Sequence, residues 1–257
     1  MTANYHTHTY RCRHASGTER EYIERAVEGG IKIMGFSDHI PFRFPDGYQS
    51  DYRVPLEEVE NYFTTLNALR EEYKNKIKIH IGWEMEYYPL YFDEMLENAA
   101  RWGSEYLILG QHFIGNEHPG GKYIGEGING ENELAEYVDC VLEAIKTGKF
   151  SYICHPDVFR YTGEKAAYER ENRRLCRAAA EADIPLEINF LGIRDGRHYP
   201  NGDFWRIAGE EGCTAVFGFD AHKAKAAYDG ESLEAAQKIV KEYGLKLVET
   251  VQLMPLK

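Results

Sequence analysis

No stretch of this 257-residue chain comes near the roughly 18 uninterrupted apolar residues that a membrane span requires. The opening segment, Met1–Tyr10, lacks the basic start and apolar core of a secretory signal, so the protein is read as cytoplasmic. Positive charge is scarce as well. Thirty Lys and Arg face 42 Asp and Glu, a formal net charge of −12. That balance argues against a nucleic-acid partner held by broad phosphate neutralisation. It leaves room for a small anionic substrate, because bound cations reverse the sign of a local site. Cysteine is sparse and scattered: Cys12, Cys140, Cys154, Cys176 and Cys213 are odd in number and never spaced C-x-x-C, so neither a disulfide framework nor a cysteine zinc site is expected.

What the chain does have is alternation. Runs rich in Ile, Val, Tyr and Phe predict strands at 3–8, 31–39, 77–87, 106–113, 151–157, 184–190 and 213–222. Helical patterns separate them, over 18–30, 55–75, 92–102, 131–147, 164–182, 203–211 and 231–243. The first carries a capping box, Thr18 with Glu21, and ends in glycine. Strand–helix repeats imply parallel pairing through right-handed crossovers. Seven repeats without a low-complexity linker point to one domain over 1–257, a closed or nearly closed α/β barrel. Two long segments, 39–55 and 115–130, are expected to wall or cover a site.

The ten histidines fall unevenly on this map. His6 and His8 end the first strand, His39 the second, His112 the fourth, His155 the fifth and His222 the seventh. His14 sits in the loop after the first strand. Glu84 and Glu86 end the third, and Asp220 accompanies His222. In a β/α barrel all strands open onto one face, where such folds build their sites. So many imidazoles and carboxylates at one mouth would be costly without a partner. Divalent Zn, Mn or Fe ions suit these donors, and seven imidazoles with two or more carboxylates are enough for three ions sharing a bridging carboxylate. His80, His118 and His198 need no such explanation.

The order H-x-H, a loop histidine, S-D-H, G-x-E, a strand-four histidine, H-P-D and D-A-H resembles the polymerase-and-histidinol-phosphatase (PHP) superfamily. The stretches "HTHTYRCRHA", "GFSDHIPF", "IGWEMEYY", "CHPDVFRY" and "LEINFLGIRDGRHYP" are similar to its stand-alone histidinol-phosphatases. The resemblance implies a distorted (β/α)7 TIM-like barrel with a trinuclear metal centre. It implies a first ion on His6, His8, Glu84 and Asp220, a second on Glu84, His112 and His155, and a third on His14, His39 and His222. Glu86 would stand behind a ligand. Arg160 and Arg194 would bind phosphate, an arginine fork matching two oxygens at once. Arg197 and His198 are further candidates.

The reaction so implied is hydrolysis of L-histidinol phosphate by a metal-bridging hydroxide. Asp220, His198 and a metal-bound water are all candidates for the proton donor to the leaving alkoxide. Glu86, Asp157 and Asp46 are candidates to meet the cationic part of the substrate. Another phosphoesterase of the superfamily, acting on phosphotyrosine or on nucleic-acid ends, and a non-catalytic metal-binding module remain alternatives.

Overall fold

In the computed structural model, which describes residues 1–256, the apolar runs resolve into parallel strands and the amphipathic segments into the helices between them. Ala3–Asn4 (β1), Ile33–His39 (β2), Lys78–Met85 (β3) and Leu107–Leu109 (β4) lie side by side in that order. A short antiparallel hairpin, Phe113–Ile114 (β5) with Lys122–Tyr123 (β6), stands outside this row. Leu186–Asn189 (β7) and Thr214–Gly218 (β8) continue the parallel sheet, with Lys246–Leu247 (β9) on the early part of β8.

Single-residue bridges join the two halves. Ile153 pairs with Leu109 on one side and Leu186 on the other, and Thr7 pairs with Ala221 beyond the end of β8. The staves therefore run β1, β2, β3, β4, Ile153, β7, β8 and back to β1, a distorted TIM-like barrel of the kind expected. The distortion is local. The strand expected over 151–157 shrinks to one bridged residue, because His155 turns to a positive φ of 31° and Pro156 has no N–H to offer a neighbour.

Helices Glu19–Glu28 (α1), Val59–Tyr73 (α2), Phe92–Trp102 (α3), Glu131–Lys146 (α4) and Lys165–Glu181 (α5) follow the expected positions closely. So do Gly202–Glu210 (α7) and Gly230–Tyr243 (α8), while the short Phe190–Asp195 (α6) was not expected. The α1 capping box is formed: Thr18 N–H donates to Glu21 Oε2 at 2.6 Å, and Glu21 N–H to Thr18 Oγ1 at 3.3 Å. Each helix buries one stripe, in α3 Phe92, Met95 and Ala99, at spacings of three and four.

A large apolar layer fills the space between sheet and helices. A smaller cluster, including Tyr5, Tyr106, Ile108, Tyr152 and Val216, plugs the barrel. Tyr106 lies across Gly35, where a Cβ would come within 2.2 Å of its hydroxyl, and that hydroxyl donates to the Tyr5 and Phe36 carbonyls. The plug closes the bottom of the barrel and leaves the strands' C-terminal ends to the polar groups. No helix among the described residues is long and apolar enough to cross a membrane.

Candidate metal centre

All nine expected ligands meet at the C-terminal mouth of the barrel. Glu84, inward-facing on β3 and buried, is the hub. Its Oε2 lies 3.1 Å from His39 Nδ1, 3.4 Å from His8 Nε2 and 3.5 Å from His6 Nε2. Its Oε1 faces the other way, 2.9 Å from His155 Nε2 and 3.5 Å from His112 Nε2. Asp220 Oδ1 stands 3.2 Å from His8 Nε2, 3.5 Å from His6 Nε2 and 3.2 Å from His222 Nδ1. His14, His39 and His222 bring ligand atoms within 4.8 Å of one another, as do His6, His8 and Asp220. Asp220 and His155 hold their places at positive φ, 45° and 31°, a strained geometry for non-glycine residues that aims both side chains at the cluster.

The electrostatics are those of a site that expects cations. Burial pushes the His6 imidazole down, but Glu187, Asp220 and Glu84 outweigh it and hold its pKa up at about 10. His8 is likewise raised, its burial outweighed by hydrogen bonds to Asp220 and Asp38. Burial lowers His39 strongly, and lowers His222 to about 4. Despite their own burial, Glu84 and Asp220 are held well below the usual carboxylate range by the surrounding imidazoles. Glu84 Oε2, Asp220 Oδ1 and His39 Nδ1 are buried without an aligned hydrogen-bond partner. Converging, orphaned lone pairs on imidazole and carboxylate are the donor set that divalent transition metals take up, so these residues fit metal ions.

A ring of supports stands behind the cluster, and most of it was not anticipated. Glu187 Oε1 is 2.9 Å from His6 Nδ1, Asp38 Oδ1 is 3.3 Å from His8 Nδ1, and Glu86 Oε1 is 2.9 Å from His112 Nδ1. Each carboxylate fixes the tautomer that turns the opposite nitrogen toward the gap. Of the three, only Glu86 was expected in this place. Asn189 donates to Glu187 Oε2 and Asp220 Oδ2, while its Oδ1 caps α6 through the Gly192 N–H. The signal for Glu187 was available: a carboxylate inside the apolar run "IPLEINF" must find a donor. Two glycines make room for these carboxylates. A Cβ on Gly110 would fall 2.0 Å from Glu84 Oε1, and one on Gly218 1.6 Å from Glu187 Oε1.

Above the cluster opens a cavity of about 1000 Å³. Arg13, Arg194, Arg197, Lys223 and Lys225 line it, with Tyr52, Phe113 and Tyr123 as an aromatic wall. Arg194 donates to the Asp220 carbonyl at 3.4 Å. Other expectations fare differently. Arg160 is exposed and lies outside the lining, its backbone bonded to Ile124 and Ile128 in the strap that those residues form. His198 is also outside it, with Nε2 2.7 Å from the Val158 carbonyl. Glu86 is buried between Arg53 and His112, Asp157 is engaged by the Asn201 N–H and the Trp205 indole, and Asp46 pairs with His118 on the surface. None of those three carboxylates reaches the cavity, whose acidic lining beyond the cluster is Asp51 and Asp195. Cys12 and Cys154 lie beside the ligands, yet their thiols donate to the Thr9 and Leu109 carbonyls and burial raises their pKa values.

A barrel mouth ringed by H-x-H, S-D-H, G-x-E, H-P-D and D-A-H defines a class of metal-binding domain. The PHP domain model matches residues 4–190, and the chain belongs to that family. It is 28% identical over 229 residues to a probable histidinol-phosphatase of Deinococcus radiodurans, covering 85% of each chain. It is 26% identical to the histidinol-phosphatase of Lactococcus lactis, covering 96% of this chain and 93% of that one. The crystal structure of the histidinol phosphate phosphatase from Lactococcus lactis, complexed with zinc, L-histidinol and phosphate, superposes with a TM-score of 0.75 at 25% identity. The match covers 100% of this chain and 98% of that one.

Proposed function

We propose that the chain is a metal-dependent phosphomonoesterase that hydrolyses L-histidinol phosphate to L-histidinol and phosphate, using three divalent ions. The observation that carries this reading is Glu84, whose two oxygens face two separate groups of imidazoles. One oxygen would serve an ion on His6, His8 and Asp220, and the other an ion on His112 and His155. His14, His39 and His222 would hold a third. When bound, such ions activate water and neutralise charge on the transferring phosphoryl group.

The chain's own residues supply the rest. Arg194 and Arg197, both in the cavity lining, would take the phosphate oxygens in place of Arg160, which lies outside it. Asp220 is held ionised, so it would serve as a ligand and proton acceptor rather than as the donor to the leaving alkoxide. His198 would hold its Nε2 proton against the Val158 carbonyl, away from the reacting atoms. Asp51 and Asp195 would meet the ammonium and imidazole of the substrate, and the aromatic wall would pack on its ring.

The test is phosphate release from L-histidinol phosphate beside p-nitrophenyl phosphate, phosphotyrosine and a nucleotide, with metal content measured on the same sample. Strong preference for histidinol phosphate with about three metals per chain is expected. Three metals with another preferred ester would overturn the substrate but keep the site. A protein that takes up no Zn, Mn or Fe would overturn the reading entirely.

A further inference from the structure

Behind the aromatic wall lies a charged network that the reaction itself does not use. Arg53 is completely buried, and all three guanidinium nitrogens are engaged. Nη1 donates to the Ile40 carbonyl at 2.9 Å, one residue past the ligand His39. Nη2 donates to Glu86 Oε2 and to Glu117 Oε2, each at 2.5 Å, and Nε donates to both Glu117 oxygens at 3.1 Å. The other Glu86 oxygen holds His112 Nδ1. Glu117 is further bound by the hydroxyls of Ser50, Tyr52 and Tyr88. One cation thus touches the backbone behind one expected metal ligand, the carboxylate behind another, and both long segments that wall the cavity.

Stability alone does not explain such a group. A buried arginine with two carboxylates is costly to desolvate, and apolar packing of similar volume often serves as well. Apolar packing cannot, however, fix the Ile40 carbonyl, the Glu86 carboxylate and Glu117 at once. Nor can it join them to Tyr52, whose ring stands edge-on to His39 at 5.2 Å and parallel to Phe113.

We propose that Arg53 is a positioning residue that couples closure of the 39–55 and 113–126 segments over the pocket to the seating of His39 and His112 for metal. The proposal rests on the reading of those histidines as ligands. His112, Glu86, Arg53, Glu117 and Tyr52 form one continuous chain of contacts, so an ion held by His112 would also hold the β5–β6 hairpin against Tyr52. By reciprocity, metal binding and ordering of the hairpin favour each other by one factor, and a variant that loosens the hairpin at Glu117 loses metal affinity up to that factor.

The experiment compares wild type, Arg53→Lys and Glu117→Gln, each stripped of metal and reloaded with Zn²⁺. Two quantities are read: hydrogen exchange across 113–126, and Zn²⁺ affinity by chelator competition. In wild type, loading should slow exchange in the hairpin. In both variants that protection should shrink, and one class of Zn²⁺ should bind about 10- to 100-fold more weakly, the range for supports of ligating histidines. Glu117→Gln leaves Arg53 and Glu86 in place, so it answers the question even if Arg53→Lys does not fold. A faster-exchanging hairpin with unchanged Zn²⁺ affinity in Glu117→Gln would make the network mere loop packing and overturn the coupling alone. A wild type that binds no Zn²⁺ would overturn the metal-site reading and the coupling with it.

Discussion

Glu187 Oε1 lies 2.9 Å from His6 Nδ1, with both side chains fully buried, and this contact turns His6 Nε2 toward Glu84 and Asp220. A carboxylate in that position sets the imidazole tautomer and raises its basicity as a ligand. Glu187→Gln keeps the shape and removes the charge. Metal affinity should fall about 10- to 100-fold, read by competition against a chelator. An unchanged affinity would mean that His6 is held by packing alone.

Gly110 and Gly218 make the same point from the backbone side. An alanine at 110 would place its Cβ 2.0 Å from Glu84 Oε1, and the displaced carboxylate is boxed in by five imidazoles. Gly110→Ala should therefore leave the fold recognisable by circular dichroism while cutting bound metal and phosphatase activity at least tenfold, the small end of what displacing a ligand's support costs. Full metal content in this variant would show that Glu84 can shift without loss.

Much of this was legible in the sequence. The period of apolar residues placed seven helices, because each buries a single stripe against the sheet. The strand-end histidines converge by topology alone, since parallel staves share one open end. What escaped was set by tertiary closeness. Arg160 follows H-P-D directly and reads as a phosphate ligand, but the chain bonded to Ile124 and Ile128 places it outside the cavity lining, which no local pattern could show. Of the two further candidates in "RDGRHYP", the turn after α6 brings Arg197 to the cavity and leaves His198 outside it. Arg53 and Glu117 are 64 residues apart, and no periodicity links them. Helix α6 was hidden inside an apolar run whose first half is β7, and the Asn189 cap is its local signal.

Protons compete with metal at this site, and the sign can be worked out. The pKa of His6 is raised from 6.5 to about 10 and that of His8 is also raised, so without metal both carry protons at neutral pH. The stability that the His6 proton gives the metal-free protein is fully present below pH 6.5 and is lost as pH rises through about 10. Metal must displace these protons, so apparent affinity should climb with pH between about 7 and 9. Calorimetric titration of Zn²⁺ in two buffers of different ionisation heat, near pH 7.5, should show protons released on binding. A binding heat independent of buffer would contradict it.

At low pH the Arg53 network gives a second signature. Burial raises the Glu117 carboxyl, but the Arg53 charge and hydrogen bonds outweigh it and hold the pKa down at about 2, against an ordinary 4.5. A depressed carboxylate contributes stability above its unfolded pKa and loses it as pH falls through the folded one. The contribution is therefore complete above about pH 4.5 and gone near pH 2. Glu117→Gln should be less stable than wild type at pH 7, and the gap should narrow as acid unfolding is followed below pH 4.5. A gap of constant size would mean that the Glu117 charge is not what Arg53 holds.

The two readings of phosphate recognition separate cleanly at three arginines. Arg194 and Arg197 line the cavity, Arg194 within 3.4 Å of the backbone carbonyl of Asp220, whereas Arg160 stands outside. A hydrogen bond to a charged group contributes about 1.5–3 kcal/mol, which corresponds to roughly 10- to 150-fold in kcat/KM. Arg194→Ala and Arg197→Ala should each lose that much on L-histidinol phosphate, and inhibition by inorganic phosphate should weaken in parallel, since the product shares the contact. Arg160→Ala should change neither by more than about twofold, as expected of a solvated side chain. If Arg160→Ala instead matches Arg194→Ala in both measurements, the Ile124–Ile128 strap must close over the bound substrate with Arg160, and Arg160 belongs to the phosphate site.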